Sequence, residues 1–288
     1  MIGHGLLRAH DYALVDRAQH AAGDLPAGLE IHPLVPPALR DSARLMPGLV
    51  CLSDLAEPLL LQCLELMEGQ AQARQPLLFA ALLKSPAPLE RVAGHLRATL
   101  LARIQDSGDT LYLRQFDPRL FVQYAWLMTP EQRLCLFGPV TEWTVYLDGE
   151  WLGFQPPAGD VRSRVPVLLE AAQAAQLEDL QTVNETLALL DPDGIASRQQ
   201  RARELYRLLE HGRGLGLVRL RDLALFLEHG VTVHPRFYTH PLLQQRLQSL
   251  PTDADLPYTV AVGDLAGAGF QQIRTEMTLG AGGPLHEP

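Results

Sequence analysis

Three histidines lie close together in the second half of the chain, where residues of this type could bind a metal ion. His229, His234 and His240 occur with Tyr238 inside one short stretch. Their spacings match no common zinc pattern, however, and neither a cysteine nor a carboxylate completes a set of ligands. We therefore interpret them as histidines at helix ends and turns, and the sequence predicts no metal site and no cofactor.

Other stretches match the motifs of catalytic or ligand-binding sites only in part. The DPDG of residues 191–194 begins like a calcium loop, but Ile195 and Ala202 stand where that loop needs oxygen ligands. The glycine-rich run 212–216 follows no predicted strand and lacks the Lys-Ser/Thr pair of a phosphate-binding loop. We therefore predict that the protein is not an enzyme, and a hydrolase with an unrecognised site is the less favoured alternative.

The composition excludes several classes of partner. The formal net charge of −9 disfavours binding to nucleic acid or to an anionic membrane, because both need a positively charged surface.

Cys51, Cys63 and Cys135 are an odd number in apolar contexts, which is typical of buried free thiols in a reducing compartment. The N-terminus does not look like a signal peptide, and the longest apolar run, residues 76–83, is too short to span a bilayer. We expect a cytoplasmic protein.

Strand and helix patterns alternate in the first half of the chain. Short apolar runs predict strands at residues 12–15, 48–52 and 77–83, and a leucine-rich stretch predicts a helix at residues 57–67. Residues 89–100 carry apolar side chains at the spacing of one helix face. This alternation indicates an α/β N-terminal domain in which helices flank a mixed sheet.

The second half of the chain has a helical pattern only. The composition changes at residues 153–166, which are rich in proline, glycine and charge and are predicted to be a linker. We therefore predict an α/β domain over residues 1–155 and an all-α lobe over residues 166–250. Residues 251–288 form a tail that contains glycine and proline and is expected to be partly disordered.

Two sites before prolines have a structural interpretation. Asp117 precedes Pro118 at the start of a helical pattern, where its side chain can accept a hydrogen bond from an unpaired backbone N–H. Thr129 and Gln132 form a capping box around a second proline. A strand is predicted just before, at residues 111–116. Asp117 could be mistaken for a catalytic acid, but we expect a helix cap.

The order of short motifs between residues 95 and 151 resembles the effector-chaperone (adaptor) family of bacterial type VI secretion systems. The motifs are HLR, then RQFDPR, then a helix, then FGPVTEW, and the resemblance extends from about residue 12 to about residue 151. Gln115 departs from the family, which usually has an aromatic or similarly bulky residue there. The matching residues, to which the resemblance assigns mainly structural roles, are His95, Arg97, Arg114, Phe116, Asp117, Pro118, Phe137, Gly138, Pro139 and Trp143.

The resemblance implies a cytoplasmic chaperone of a Gram-negative bacterium. Such a protein binds one toxic effector, keeps it soluble and loads it on the VgrG spike protein, with or without a second co-adaptor. An immunity-type protein, which binds a toxin to neutralise it, is the alternative within the protein-binding class. The two differ because an immunity protein blocks the active site of the toxin.

An arginine-rich stretch between residues 198 and 221 is locally basic within an acidic protein. It is either a solvated helix face paired with nearby carboxylates or a docking surface for an acidic segment of a partner. On the second interpretation, this lobe recognises the effector through amphipathic helices. The candidate partner-binding residues are then Arg198, Arg201, Arg207, Leu220, Leu223 and Leu227.

Overall fold

The chain forms two compact units. The structure, a computed structural model, describes residues 3–20, 23–159, 166–190, 194–248, 258–265 and 267–280. Contacts divide the chain into Met1–Leu177 and Glu178–Pro288. The predicted fold class is confirmed, because sheets with flanking helices occupy the first part and every element described in the second is helical.

The elements of the first part alternate between short strands and helices, as predicted. A 3-10 helix, Pro37–Leu45, lies between the second and third strands. In chain order the elements are α1 (His4–Arg8), β1 (Tyr12–Val15), β2 (His32–Pro33), β3 (Gly48–Cys51), α2 (Glu57–Gln72), β4 (Ala81–Lys84), α3 (Leu89–Thr99), β5 (Leu101–Ile104), β6 (Thr110–Tyr112), α4 (Pro118–Leu127), α5 (Pro130–Phe137), β7 (Glu142–Leu147), β8 (Glu150–Phe154) and β9 (Leu168–Leu169).

The main elements that follow β9 are α-helices, as the helical pattern of the second half predicts. None of the described helices is long and apolar enough to cross a bilayer. They are α6 (Ala171–Leu187), α7 (Gly194–Gly214), α8 (Leu220–Thr232), α9 (Pro241–Gln248), α10 (Tyr258–Ala261) and α11 (Ala268–Gly280).

The main sheet has six strands in the order β2-β3-β1-β4-β7-β8, and neighbouring strands are antiparallel. All four residues of β1 are buried, which explains its continuous apolar sequence. Helix α2 packs in the same apolar cluster through Leu60, Cys63, Leu64 and Met67. Their spacing of three and four residues places them on one face of the helix.

A smaller mixed sheet has the order β6-β5-β9, in which β5 pairs antiparallel with β6 and parallel with β9. Asp106 and Gly108 have positive φ angles of 67° and 77° in the turn of the hairpin between β5 and β6. In the ladder Arg103 lies opposite Thr110. The hairpin thus presents the side chains of these two residues on the same face.

The strand predicted at residues 48–52 ends one residue early, at Cys51, and two other predicted strands are much shorter than expected. Of residues 77–83, only those from Ala81 onward are in a strand, although the preceding residues are buried. There the side chain of Gln70 accepts a hydrogen bond from the backbone N–H of Leu78 (2.6 Å), in place of a strand neighbour. The strand predicted at residues 111–116 ends at Tyr112. A buried apolar run indicates that its residues lie in the core, but it does not show whether their backbone groups bond to a neighbouring strand.

In the second unit, glycines allow close helix packing. A Cβ at Gly212 would lie 3.1 Å from the ring of Phe226, and one at Gly230 would lie 2.1 Å from Leu208. The glycine-rich run 212–216 therefore includes a contact between α7 and α8. Helix α8 continues past Gly230 to Thr232.

The predicted linker and the division of the chain by contacts fall at different residues. Residues 160–165 of the predicted linker lie outside the described residues, and the division by contacts falls later, after Leu177. Within the predicted tail, α10 and α11 are helical. The rest of that tail (residues 251–257, 266 and 281–288) and residues 191–193 of the DPDG turn also lie outside the described residues.

Candidate functional site

The HLR and FGP motifs meet in one contact. The Nε2 atom of His95, on α3, donates a hydrogen bond to the carbonyl oxygen of Leu136 (3.0 Å) at the end of α5. Gly138, the C-cap of α5, has φ +52°, and a Cβ there would lie 2.2 Å from the imidazole ring. Burial lowers the pKa of His95, so the ring is neutral at pH 7. A side chain at residue 138 would occupy the space of this ring.

The carboxylate of Asp117 is surrounded by donors. It accepts hydrogen bonds from the backbone N–H of Arg119 (3.1 Å), from the Arg119 guanidinium (2.8 and 3.0 Å) and from Arg114 (3.0 Å). Its side chain is only 5% exposed. The predicted N-cap is confirmed, as is the capping box of Thr129 and Gln132. Asp117 therefore caps α4 and bridges two arginines.

The aromatic residues of the matching set lie in the core. Trp143 is fully buried and stacks on Phe121 with ring centroids 4.7 Å apart, and Phe137 meets it edge-on at 6.0 Å. The carbonyl oxygen of Pro139 accepts a hydrogen bond from the hydroxyl group of Ser85 (2.7 Å). Phe116 is likewise buried. These residues join α4, α5 and β7 and are not available to a ligand.

Gln115 has a role that sequence reasoning missed. Its side chain is 1% exposed, and its Nε2 donates to the carbonyl oxygen of Leu96 (3.1 Å) and to Oγ1 of Thr99 (3.1 Å). These bonds hold the chain before Asp117 to the C-terminal end of α3. A polar link therefore replaces the bulky residue expected at this position, and the departure from the family pattern was the available signal.

Arg97 is the exception among the matching residues. Its side chain is exposed and, within the described residues, makes no hydrogen bond or ion pair. It lines a groove of about 400 Å³ formed by α3, the β5–β6 hairpin and Pro37. A second exposed arginine of the groove is Arg103 on β5, and its side chain also has no partner in the described part of the chain. Sequence reasoning missed Arg103, although its exposed position beside the buried Ala102 follows from strand alternation.

The candidate partner-binding residues of the second unit do not share one face. Leu223 and Leu227 are 2% and 0% exposed and pack inside the unit, and Arg198 is 6% exposed. By contrast Arg207 and Leu220 are exposed. Arg201 is exposed too and pairs with Glu204 (2.9 Å). Of the three leucines proposed for binding, only Leu220 is therefore accessible to a partner.

An exposed apolar stretch adjoins Leu220 in the connection between α7 and α8. Leu215, Val218 and Leu220 are 41%, 73% and 62% exposed. We call these three residues the α7–α8 tip. Nearby, Arg213 forms a two-bond ion pair with Asp179 at 2.7 Å, so part of the arginine cluster is paired internally. Large apolar side chains exposed together on a surface are typical of binding sites.

The three histidines have different partners. Nδ1 of His229 accepts a hydrogen bond from the Tyr258 hydroxyl group (2.8 Å), and burial lowers the pKa of His229 to about 4. His240 contacts Glu276 (2.9 Å), and His234 accepts from the backbone N–H of Arg236 (3.1 Å). Across the described residues, no three His, Cys, Asp or Glu side chains are grouped as metal ligands would be.

None of the three cysteines forms a disulfide. Cys63 and Cys135 are buried and Cys51 is half-buried. Burial raises the pKa of the Cys63 thiol to about 11 and raises that of Cys135 as well. The thiolate is the nucleophilic form of cysteine, so both buried side chains are unreactive at neutral pH.

The comparisons with known proteins support the resemblance at the level of the family. The chain matches the family model "Domain of unknown function (DUF4123)" over residues 12–135. That span runs from β1 into α5 and includes His95, Arg97 and the Asp117 cap. The family is associated with effector adaptors of type VI secretion systems. No curated protein and no solved structure gives a significant match to the chain.

Proposed function

We propose that the protein is a cytoplasmic adaptor of a Gram-negative type VI secretion system. It binds and stabilises one effector, loads it on the VgrG spike protein and has no catalytic activity of its own. The match over residues 12–135 is the observation that carries this proposal. Loading requires only complementary surfaces, with apolar anchors, a polar rim and contacts weak enough for release.

The chemistry of the matching residues supports a binding protein over an enzyme. Asp117, the most plausible acid among them, already accepts hydrogen bonds from two arginines, and His95 donates to a backbone carbonyl group. A general acid or base needs a free position within hydrogen-bond distance of a substrate. These residues instead build the scaffold on which partner-binding surfaces are presented.

The α7–α8 tip is the surface that we assign to the effector. Exposed large apolar side chains can insert into a partner and supply most of the binding energy of an interface. The tip lies outside the region that matches the family model, where variation between adaptors for different effectors is expected. The first unit then carries the contacts with the spike protein.

Co-purification tests this function. The full-length chain would be produced with the products of its neighbouring genes, among which the proposal expects a spike protein and a toxin-like protein. We expect a complex of all three proteins, loss of soluble effector when the chain is omitted, and full toxin activity within the complex. Complete inhibition of the toxin would favour the immunity-type alternative, and capture of neither protein would contradict the proposal.

A variant pair locates the effector contact. Val218→Asp with Leu220→Asp places charge at the tip without touching buried residues, and we expect it to abolish effector capture. Leu279→Asp is the control, because Leu279 is 75% exposed and lies outside the tip. Equal capture by both variants would show that the tip is not the effector surface.

A further inference from the structure

The groove beside α3 is a surface that the scaffold residues do not explain. One wall is the exposed face of α3 formed by Gly94, Arg97 and Ala98, at positions i, i+3 and i+4. Leu101 and Arg103 of β5, two residues apart on the same side of the strand, also line it. The groove therefore combines apolar surface with two cationic groups.

The side chains of the two arginines in the groove are available to bind an external partner. Arg97 and Arg103 are the charged residues that line it, and neither side chain has an ion pair or hydrogen bond within the described residues. Other exposed arginines, such as Arg201, have acidic neighbours in the chain. Each guanidinium group presents a planar set of donors that matches a carboxylate with two parallel hydrogen bonds.

The absence of side-chain bulk on α3 gives a segment room to approach. Gly94 lies inside a helix, where glycine is less favourable than alanine. A Cβ added at Gly94 would meet no atom within 4 Å, so packing against the described residues does not require glycine there. Gly94 has no side chain and Ala98 has only a methyl group, so the backbone of a bound segment can lie close to the helix.

The shape and charge of the groove select the kind of occupant. Most of its lining residues are exposed, including Arg97, Arg103 and Thr110, so the groove is open along the surface. Small-molecule sites usually enclose most of the ligand, which this groove does not do. An extended peptide segment suits the shape, and carboxylate side chains suit the two arginines.

We propose that this groove binds an extended acidic segment of the spike protein. The proposal rests on the adaptor function proposed above and names the surface that contacts the spike. Nearly all of the groove lies within residues 12–135, the part that matches the family model, and the proposed function assigns the contacts with the spike to this unit. In a chain of net charge −9, these two arginines also steer an acidic segment to one place.

The first experiment measures peptide binding independently of the secretion system. The probe is a fluorescent peptide of five Glu-Ala repeats, and the control peptide has five Lys-Ala repeats. We expect the full-length chain to bind the first peptide by fluorescence anisotropy, more weakly as salt rises, and not to bind the second. No measurable binding of the glutamate peptide, or equal binding of both peptides, would overturn the proposal.

Variants then place the binding in the groove. Arg97→Glu with Arg103→Glu should weaken peptide binding at least tenfold, and Gly94→Leu should do so without changing a charge. Arg91→Glu, on the exposed surface of the same helix but outside the groove, is the matched control and should bind as the wild type does. Unchanged thermal unfolding verifies that each variant is folded, and Arg97→Gln with Arg103→Gln replaces the charge reversal if it is not.

The second experiment uses the spike and effector proteins themselves. The Arg97→Glu, Arg103→Glu variant should lose spike binding at least tenfold and still capture the effector. Wild-type binding to the spike, or loss of the effector with the spike retained, would overturn the assignment of the groove. Failure of the adaptor function itself would differ, because the wild-type chain would then capture no effector.

Discussion

The two units differ in how their most distinctive residues are used. In the first unit, His95, Asp117 and Trp143 contact other parts of the same unit and are unavailable to partners. In the second, the α7–α8 tip leaves three large apolar side chains exposed. The comparison shows that a shared sequence pattern can record the requirements of folding, whereas the surfaces that we propose for partner binding lie beside or outside it. Among the ten matching residues, Arg97 alone is exposed.

Substitution of Gly138 should have the largest effect. In Gly138→Ala the new Cβ overlaps the ring of His95, and the positive φ of 52° is unfavourable for a side chain. We expect a loss of about 2–5 kcal/mol in the free energy of unfolding, measured with urea. Gly108→Ala is the control, because it also has positive φ (77°) but open space around its Cβ. Equal losses at the two sites would mean that the contact with His95 is unimportant.

Acid should weaken the second unit through His229. The pKa of this residue is lowered by burial to about 4, whereas an unfolded chain has the ordinary value of about 6.5. The unfolded state therefore binds the proton first as pH falls, and stability decreases below pH 6.5. Between pH 7.5 and 5 the loss should be about 2 kcal/mol. His229→Gln, which keeps an acceptor for Tyr258, should reduce this pH dependence, and an identical dependence would contradict the account.

Asp117→Ala tests whether a residue of the family pattern acts in folding or in partner binding. Loss of the cap should lower the free energy of unfolding by about 0.5–2 kcal/mol, since the N–H of Arg119 and two guanidinium groups lose their acceptor. Asp117→Asn keeps a cap and should lose less. Binding of effector and spike by the folded variant should be unchanged. A variant with wild-type stability that no longer binds a partner would make Asp117 a binding residue.

Gly94→Ala should have the smallest effect, and of opposite sign. Alanine favours the helix and has open space at this position, so the free energy of unfolding should rise by up to about 1 kcal/mol. Chemical denaturation measures this change. A destabilised variant would mean that glycine is required by the fold, which would remove one reason for assigning the groove to a partner.

Local features could be predicted from the sequence with good accuracy. The cap at Asp117 and the capping box at Thr129 depend on residues close in the chain, and β1 has the predicted bounds. The contact between His95 and Gly138 joins two distant segments, and the motifs indicated both residues without showing that they touch. Long-range contacts of this kind depend on the packing of elements, which spacing does not encode.

The candidate partner-binding residues illustrate a different limit. Arg198 lies on the buried side of α7, in register with Ala202, Leu205 and Leu209 at i+4, i+7 and i+11. This spacing was present in the sequence, but the run of arginines suggested a solvated face. Leu223 and Leu227 lie one helical turn apart and were candidates for partner binding, but both pack within the unit. Periodicity identifies an apolar face but does not show whether the chain itself covers that face.

Secretion by the source organism tests the central claim most directly. The gene for this chain would be deleted, and the effector and the spike protein would be measured in the medium and in the cells. We predict that the effector disappears from the medium and declines inside the cells, while the spike protein is still released. Restoring the wild-type gene should restore secretion, whereas the Val218→Asp, Leu220→Asp variant should not. Unchanged effector secretion in the deletion strain would contradict the adaptor function.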